Sequence, residues 1–244
     1  MMPKDEIYRA ESAGDAPFAF NDAVADVFPD MLRRSIPGYA ETIEAIGQLA
    51  RRHVKPGTHC YDLGCSLAAA TLAMRRSIVA PGCRIVAVDS SAAMIERCRQ
   101  LVARDAHSNA VEIDIQHADI RDVEISRASL VVLNYTLQFL PVDDRLVLLQ
   151  RIAAGMVDGG ILVLSEKVAD QDPQIEALLV ELHHEFKRRN AYSELEISRK
   201  RTALENVLIP EPVDVHLDRL QQAGFRHAGP WLRFYNFVSI LAAR

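Results

Sequence analysis

A chain of 244 residues with 49% hydrophobic residues and a net charge of −5 is long enough to bury the core of one α/β domain. The acidic balance speaks against a broad phosphate-binding surface, because nonspecific nucleic-acid affinity needs clustered Lys and Arg. No run reaches the roughly 18 apolar residues of a membrane span, and Met1 to Ala19 has no apolar leader core.

Apolar residues at helical spacing (Val24, Val27, Phe28, Met31, Leu32) predict a helix from Asp22 to Arg34, broken by Pro37-Gly38, and a second helix spans Tyr39 to Arg52. Short apolar runs then alternate with amphipathic stretches: strand His59 to Leu63, helix Leu67 to Ile78, strand Arg84 to Val88, helix Ala92 to Ala103. Strands follow at Val111 to Gln116 and Leu130 to Asn134, then a helix from Asp143 to Met156, a turn at Asp158-Gly159-Gly160 and a strand to Ser165. Continuous apolar strands separated by helices imply a parallel sheet covered on both faces. Asp172 to Asn206 reads as long charged helices, and Val213 to Ala223 as one more helix, ended by Gly224. Phe225 to Tyr235 and Phe237 to Ala243 are too close for a crossover helix and must pair antiparallel. The four cysteines, Cys60, Cys65, Cys83 and Cys98, form no C-x-x-C pair and read as reduced, buried thiols of a cytoplasmic protein.

Tyr61-Asp62-Leu63-Gly64-Cys65-Ser66 followed by Arg84-Ile85-Val86-Ala87-Val88-Asp89 is the most informative pattern. A buried strand ending in small residues, then a helix, then an apolar strand capped by an acid, makes a nucleotide-binding crevice. Gly64 lets the backbone approach a ligand, with Cys65 and Ser66 supplying backbone groups and a hydroxyl; the plain alternative is an ordinary strand-to-helix turn. Asp89 is placed to accept from ribose hydroxyls, or else to cap the next helix, which Ser90 or Ser91 would do equally well. Asp119 and Ile120 follow the third strand, where the carboxylate would meet an adenine amine and Ile120 its ring; the alternative is a solvated loop acid. Asn134 ends the fourth strand, at the edge where open α/β sheets bind ligands.

Other residues point less clearly. Tyr135-Thr136 after Asn134 lack the prolines of amino-methylating enzymes. No two histidines stand four apart as helical metal ligands would, so no metal is expected, and His183 and His184 read as surface or packing residues. Lys187-Arg188-Arg189 and Arg199-Lys200-Arg201 read as solvated helix faces, with Glu194, Glu196 and Glu205 as acidic neighbours.

Five parallel strands and a terminal hairpin resemble the Rossmann-like seven-stranded sheet of the S-adenosylmethionine-dependent methyltransferase superfamily, with extra helices. On that resemblance residues 1–244 form one methyltransferase-like domain: N-terminal helices (20–55), a nucleotide-binding core (56–168), a helical insertion (169–212) and a helix with the hairpin (213–244). The wording of the chain is narrower still. Val27-Phe28-Pro29-Asp30-Met31, Arg34-Ser35, Pro37-Gly38-Tyr39, Ala93-Met94-Ile95-Glu96-Arg97-Cys98, Thr136-Leu137-Gln138-Phe139-Leu140, Leu164-Ser165-Glu166-Lys167 and Tyr192-Ser193-Glu194-Leu195-Glu196-Ile197-Ser198 resemble the carboxy-S-adenosyl-L-methionine synthase family, from about Phe20 onward.

That resemblance implies an enzyme that converts S-adenosylmethionine and prephenate into carboxy-S-adenosylmethionine and phenylpyruvate. Prephenate loses carbon dioxide and hydroxide, and the deprotonated sulfonium methyl captures the carbon dioxide. It implies ligand contacts at Tyr39, Gly64, Cys65, Ser66, Asp89, Ser90, Asp119, Ile120, Asn134 and Arg201, a homodimer without direct nucleic-acid or membrane partners, and a product used by a separate enzyme that modifies a wobble uridine of transfer RNA. A carboxylate beside the sulfonium must be met by a cation, and Arg201 is the expected one and the expected catalytic residue; a charge-assisted bond of roughly 1.5–3 kcal/mol would favour the carboxylated ligand about ten- to a hundredfold. Ala68 and Ser90 stand where the family commonly has glycine and asparagine; Ala68 is expected to have a small effect, Ser90 to keep an acceptor with a shorter reach, and neither to remove a proposed role. The rivals are an ordinary S-adenosylmethionine-dependent small-molecule methyltransferase and a noncatalytic S-adenosylmethionine-binding protein.

Overall fold

The computed structural model describes residues 3–9, 17–105 and 111–244. Two helices come first, α1 (Asp22–Ser35) and α2 (Tyr39–His53). Asn21 caps α1, its side-chain oxygen accepting from the Val24 amide at 3.0 Å. The predicted apolar stripe of α1 is real: Val24, Phe28 and Met31 bury against Phe18 and Met94.

The sheet strands are β1 (His59–Leu63), β2 (Arg84–Asp89), β3 (Glu112–His117), β4 (Ala128–Asn134), β5 (Met156–Lys167), β6 (His227–Phe234) and β7 (Phe237–Ala243). They form one seven-stranded sheet in the order β3-β2-β1-β4-β5-β7-β6. β1 to β5 pair in parallel, and β7 runs antiparallel between β5 and β6. The linking helices are α3 (Ala69–Ser77), α4 (Ala92–Arg104), α5 (Val142–Gly155), α6 (Pro173–Arg189), α7 (Glu194–Leu204) and α8 (Val213–Gln222).

Alternation along the strands divides the core in two. Tyr61, Leu63, Val131, Leu133, Leu162 and Leu164 pack with Leu148, Ile152 and Leu220 of α5 and α8. Cys60, Ile85, Leu130, Val132 and Val163 pack on the other face with Ile46 and Met74 of α2 and α3. Fully burying side chains of this size contributes roughly 1.5–3 kcal/mol each, and the four cysteines are buried free thiols among them. Strand order reverses between β1 and β4, which sets Gly64 beside the β4 loop at the carboxyl edge of the sheet, the place where such sheets bind ligands.

Three expectations need correction. Asp158-Gly159-Gly160 does not separate a helix from a strand; β5 pairs from Met156 opposite Ala128, bulges with Gly159 at φ +70°, and resumes at Ile161 opposite Leu130. Glu196 does not neutralise the basic runs, because it is buried in the capping box of α7, its carboxylate accepting from the Ser193 amide at 2.8 Å. Lys187 and Lys200, read as parts of solvated faces, are buried. Their helices turn that side toward α1 and the sheet edge: Lys200 Nζ reaches Ser35 Oγ at 3.0 Å, and His183, one turn before Lys187, reaches the Ser35 carbonyl at 2.8 Å.

Candidate functional site

The turn after β1 is held by two carboxylates. Asp62 is wholly buried and accepts from the Thr71 amide at 2.9 Å and the Thr71 hydroxyl at 2.6 Å. Ala68 at the N-cap of α3 has no side-chain acceptor, so Asp62 supplies the missing cap from the strand. Burial pushes its pKa up to about 6 against those two bonds. Gly64 adopts φ +87°, and a Cβ there would run into the Thr136 side chain, so β1 and the β4 loop touch only because residue 64 is glycine.

Asp89 holds the far side of the turn. Its carboxylate accepts from the Ser66 amide at 3.0 Å and the Ser91 amide at 2.8 Å. The cap of α4 is Ser91, whose Oγ accepts from Met94 at 3.2 Å, which leaves Asp89 as a loop tie rather than a helix cap. Burial raises its pKa against those two amides, so a further donor would be favourable. Ser66 and Ala68 also take positive φ, 45° and 66°, so the Ala68 methyl bears on backbone conformation rather than on space beside a ligand.

Past β3, Asp119 is gripped by Arg121, with Nη2 at 2.7 Å and Nε at 3.0 Å, and that guanidinium holds its carboxyl below the usual range. Ile120 beside it is buried. At the end of β4, Asn134 Oδ1 is buried and has no hydrogen-bond partner among the described residues. Tyr135 follows at φ +61°; its ring stacks on Tyr39 at 6.5 Å between centroids and meets Phe237 edge-on at 5.9 Å. Gly38, at φ +74° and against Phe234, sets the start of α2 and so the place of Tyr39. Arg201 lies exposed in the last turn of α7 and makes no hydrogen bond or ion pair among the described residues; its charge is felt at Lys167 and His184.

Hydrogen bonds thus join Ser66 and Asp89, backbone bonds bring Gly64 and Cys65 to Val88 at 2.8 and 2.9 Å, and stacking joins Tyr39 to the residue after Asn134. Ser90 is exposed at the same edge, its carbonyl 3.0 Å from a His117 ring nitrogen. Asp119 and Ile120 stand at the next loop, and Arg201 approaches from the helices without touching the others. An unpartnered buried amide oxygen, an acid with unmet demand for donors and a turn open to backbone contact suit a ligand carrying an ammonium group and a ribose diol.

A methyltransferase-domain family model matches residues 61–162. The carboxy-S-adenosyl-L-methionine synthase of Aliivibrio salmonicida is 52% identical over 244 residues, covering 100% of both chains, and that of Trichlorobacter lovleyi is 53% identical over 240 residues, 98% of both. The chain belongs to the carboxy-S-adenosyl-L-methionine synthase family. Fold comparison agrees at a coarser level: human N-acetylserotonin methyltransferase in complex with S-adenosylmethionine superposes with a TM-score of 0.59 at 19% identity, over 99% of this chain and 60% of that one. A possible exported protein of Bordetella parapertussis gives 0.63 at 17%, over 98% and 77%.

Family membership brings S-adenosylmethionine to the crevice, and the unpartnered Asn134 Oδ1 and the half-satisfied Asp89 fit it. No group of three or more His, Cys, Asp or Glu among the described residues is arranged to hold a metal ion. Sequence reasoning missed four contributors: Asp62, whose partner Thr71 lies one loop away; Tyr135, noted only as Asn134's neighbour; and Glu166-Lys167, an acid and a base at the end of an otherwise apolar strand. That last anomaly was visible, since charged residues ending a central strand need a reason to be there.

Proposed function

We propose that this chain, working as one methyltransferase-like domain, converts S-adenosylmethionine and prephenate into carboxy-S-adenosylmethionine and phenylpyruvate. Prephenate gives up its ring carboxyl as carbon dioxide and its ring hydroxyl, which leaves as water with a proton of the sulfonium methyl; the carbon dioxide takes that proton's place. The observation that carries the reading is identity of about half over the whole length of relatives bearing this activity's name. S-adenosylmethionine supplies the acidified methyl group, and the chain supplies the holding groups. Asp89 takes the ribose diol, Ser66 and the Gly64-Cys65 backbone take the methionine end with Asn134, and Ile120 and Asp119 take the adenine. Tyr39 lies against the methionine end.

Arg201 is assigned to the new carboxylate, because it is a helix cation without a partner among the described residues, and its charge is felt at Lys167. The exposed Ile175, Leu178 and Leu195 of α6 and α7 support a homodimer in which Arg201 serves its own or the neighbouring crevice. The product is assigned to a separate enzyme that carboxymethylates a wobble uridine of transfer RNA in the cytoplasm. Among the described residues no helix is long and apolar enough to cross a membrane.

The test is direct. Protein given S-adenosylmethionine and prephenate labelled in its ring carboxyl should yield an adenosyl product heavier by one labelled carbon dioxide, read by mass spectrometry. Transfer of an unmodified methyl, or no product, overturns the reading. Arg201→Ala should lose about ten- to a hundredfold of the preference for carboxy-S-adenosylmethionine over S-adenosylmethionine in competition binding. Wild-type selectivity in the variant would remove Arg201 from the role.

A further inference from the structure

Around the end of β5 the molecule gathers cations that make no ion pair among the described residues, with Glu176 alone acting on Lys167 from a distance. Lys187 of α6 is 7% exposed, and Lys167 ends β5 half-buried. Among the described residues neither ammonium makes an ion pair or a hydrogen bond, and neither does the Arg201 guanidinium. Lys200 is the contrast: equally buried, it stands 3.6 Å from Asp5 and 3.0 Å from Ser35 Oγ. Two acids of α6 make their bonds elsewhere, although Glu176 also acts on Lys167 from beyond ion-pair distance. Glu176 accepts from the Asp170 amide at 2.8 Å, and Glu181 pairs with Arg188 at 2.8 Å.

Backbone register and ring contacts bring the two free lysines together. Phe237 of β7 pairs with Lys167 across the sheet, and its ring lies 4.8 Å from that of His183. Lys187 follows His183 by one turn of α6, on the same helix face. Lys167 and Lys187 therefore flank Phe237 and His183, near enough for each charge to act on the other. Burial first, then Lys200 and Lys167, pull the Lys187 ammonium down to about 7. A buried ammonium with no partner costs several kcal/mol, which an anionic ligand would offset.

The lysines also lie at the end of an aromatic run. Tyr39, Tyr135, Phe237 and His183 touch in succession, with centroid distances of 6.5, 5.9 and 4.8 Å. The run starts beside Asn134, at the edge assigned to the methionine end of the cofactor, and finishes at the two cations. Rings along one side and paired positive charges at one end suit a planar unsaturated ring bearing carboxylates.

We infer that Lys167 and Lys187 hold the carboxylates of the second substrate, a small dicarboxylate whose unsaturated ring lies along Tyr135 and Phe237. This rests on the reading above, in which that substrate is prephenate, and it names the residues that hold it. The experiment is calorimetric titration of prephenate into protein saturated with S-adenosylhomocysteine, for the wild type, Lys167→Met, Lys187→Met and Lys187→Arg. Each Met variant should raise the prephenate Kd tenfold or more and leave the S-adenosylhomocysteine Kd within twofold. Lys187→Arg should recover most of the loss, and Lys187→Met should melt no lower than wild type, since it removes an uncompensated charge.

Unchanged prephenate affinity in both Met variants overturns the inference, as does an equal loss of affinity for both ligands. Turnover is scored separately on the wild type. Lysine-dependent prephenate binding without a carboxylated product refutes the synthase reading and leaves the site standing. A carboxylated product with lysine-independent binding refutes the site and leaves the reading.

Discussion

The two halves of the sheet's carboxyl edge handle charge in opposite ways. Along β1, β2 and β3 every acid has donors from the chain itself: Asp62 has Thr71, Asp89 has the Ser66 and Ser91 amides, and Asp119 has Arg121. At the end of β5 and on the inward face of α6, three charged groups, Glu166, Lys167 and Lys187, stand without an ion pair among the described residues. Among the described residues both oxygens of Glu166 lack a hydrogen bond, although the Arg145 charge and the Gln138 and Leu137 amides ease its own, and Lys167 and Lys187 make no ion pair, Lys167 feeling Glu176 only from a distance. The first half ties its acids down with its own donors and leaves only Asn134 Oδ1 and the remaining demand of Asp89 for a ligand. The second leaves demands that a bound anion or a neighbouring chain completes, so the adenosyl half should bind alone and the second half should depend on what is added.

The sharpest way to break this contrast on the finished side is Asp89→Ala. On the ribose role proposed for Asp89, the variant should bind S-adenosylmethionine about a hundredfold more weakly in calorimetry, and a change under threefold would show that Asp89 serves only the loop.

On the bare side, burial pushes the Glu166 carboxyl from 4.5 up to about 8. The native state keeps that proton after the unfolded chain has released it. Its contribution to stability is therefore full below about pH 4.5 and is lost as pH rises toward 8. Glu166→Gln stays neutral throughout and should gain on wild type by roughly 1 kcal/mol per pH unit between pH 5 and 8 in urea unfolding. Parallel curves for the two proteins would mean that Glu166 is ionised in the fold.

The smallest expected effect is at Ala68. Glycine at φ +66° relieves left-handed strain but gives up a fully buried methyl, so Ala68→Gly should raise stability by about 0.5 kcal/mol. A loss above about 1 kcal/mol would show that the methyl matters more than the backbone.

Legibility in the sequence follows the same division. Strands β1 to β5, the terminal antiparallel pair and the turn-plus-acid of Gly64 and Asp89 are written in local pattern, because apolar runs, small residues and an acid at a strand end each act within a few positions. The Asp62 cap was not legible, since it needs the three-dimensional approach of Thr71 to the strand end. Lys187 was misread because a Lys-Arg-Arg run beside acids looks solvated, and only the packing of α6 on α1 and the Phe237 strand decides which of the three turns inward. The bulge in β5 was hidden by glycines that serve turns and bulges alike.

The position of β7 bears on how the chain acquires its binding ability over time. Phe237 belongs to the last strand of the chain, which lies between β5 and β6, and the tyrosine it helps to seat stacks on a residue from the first helices. Contacts so distant in sequence are slow to form, and capture of the second substrate should therefore be the final event of refolding, lagging behind the return of helical signal.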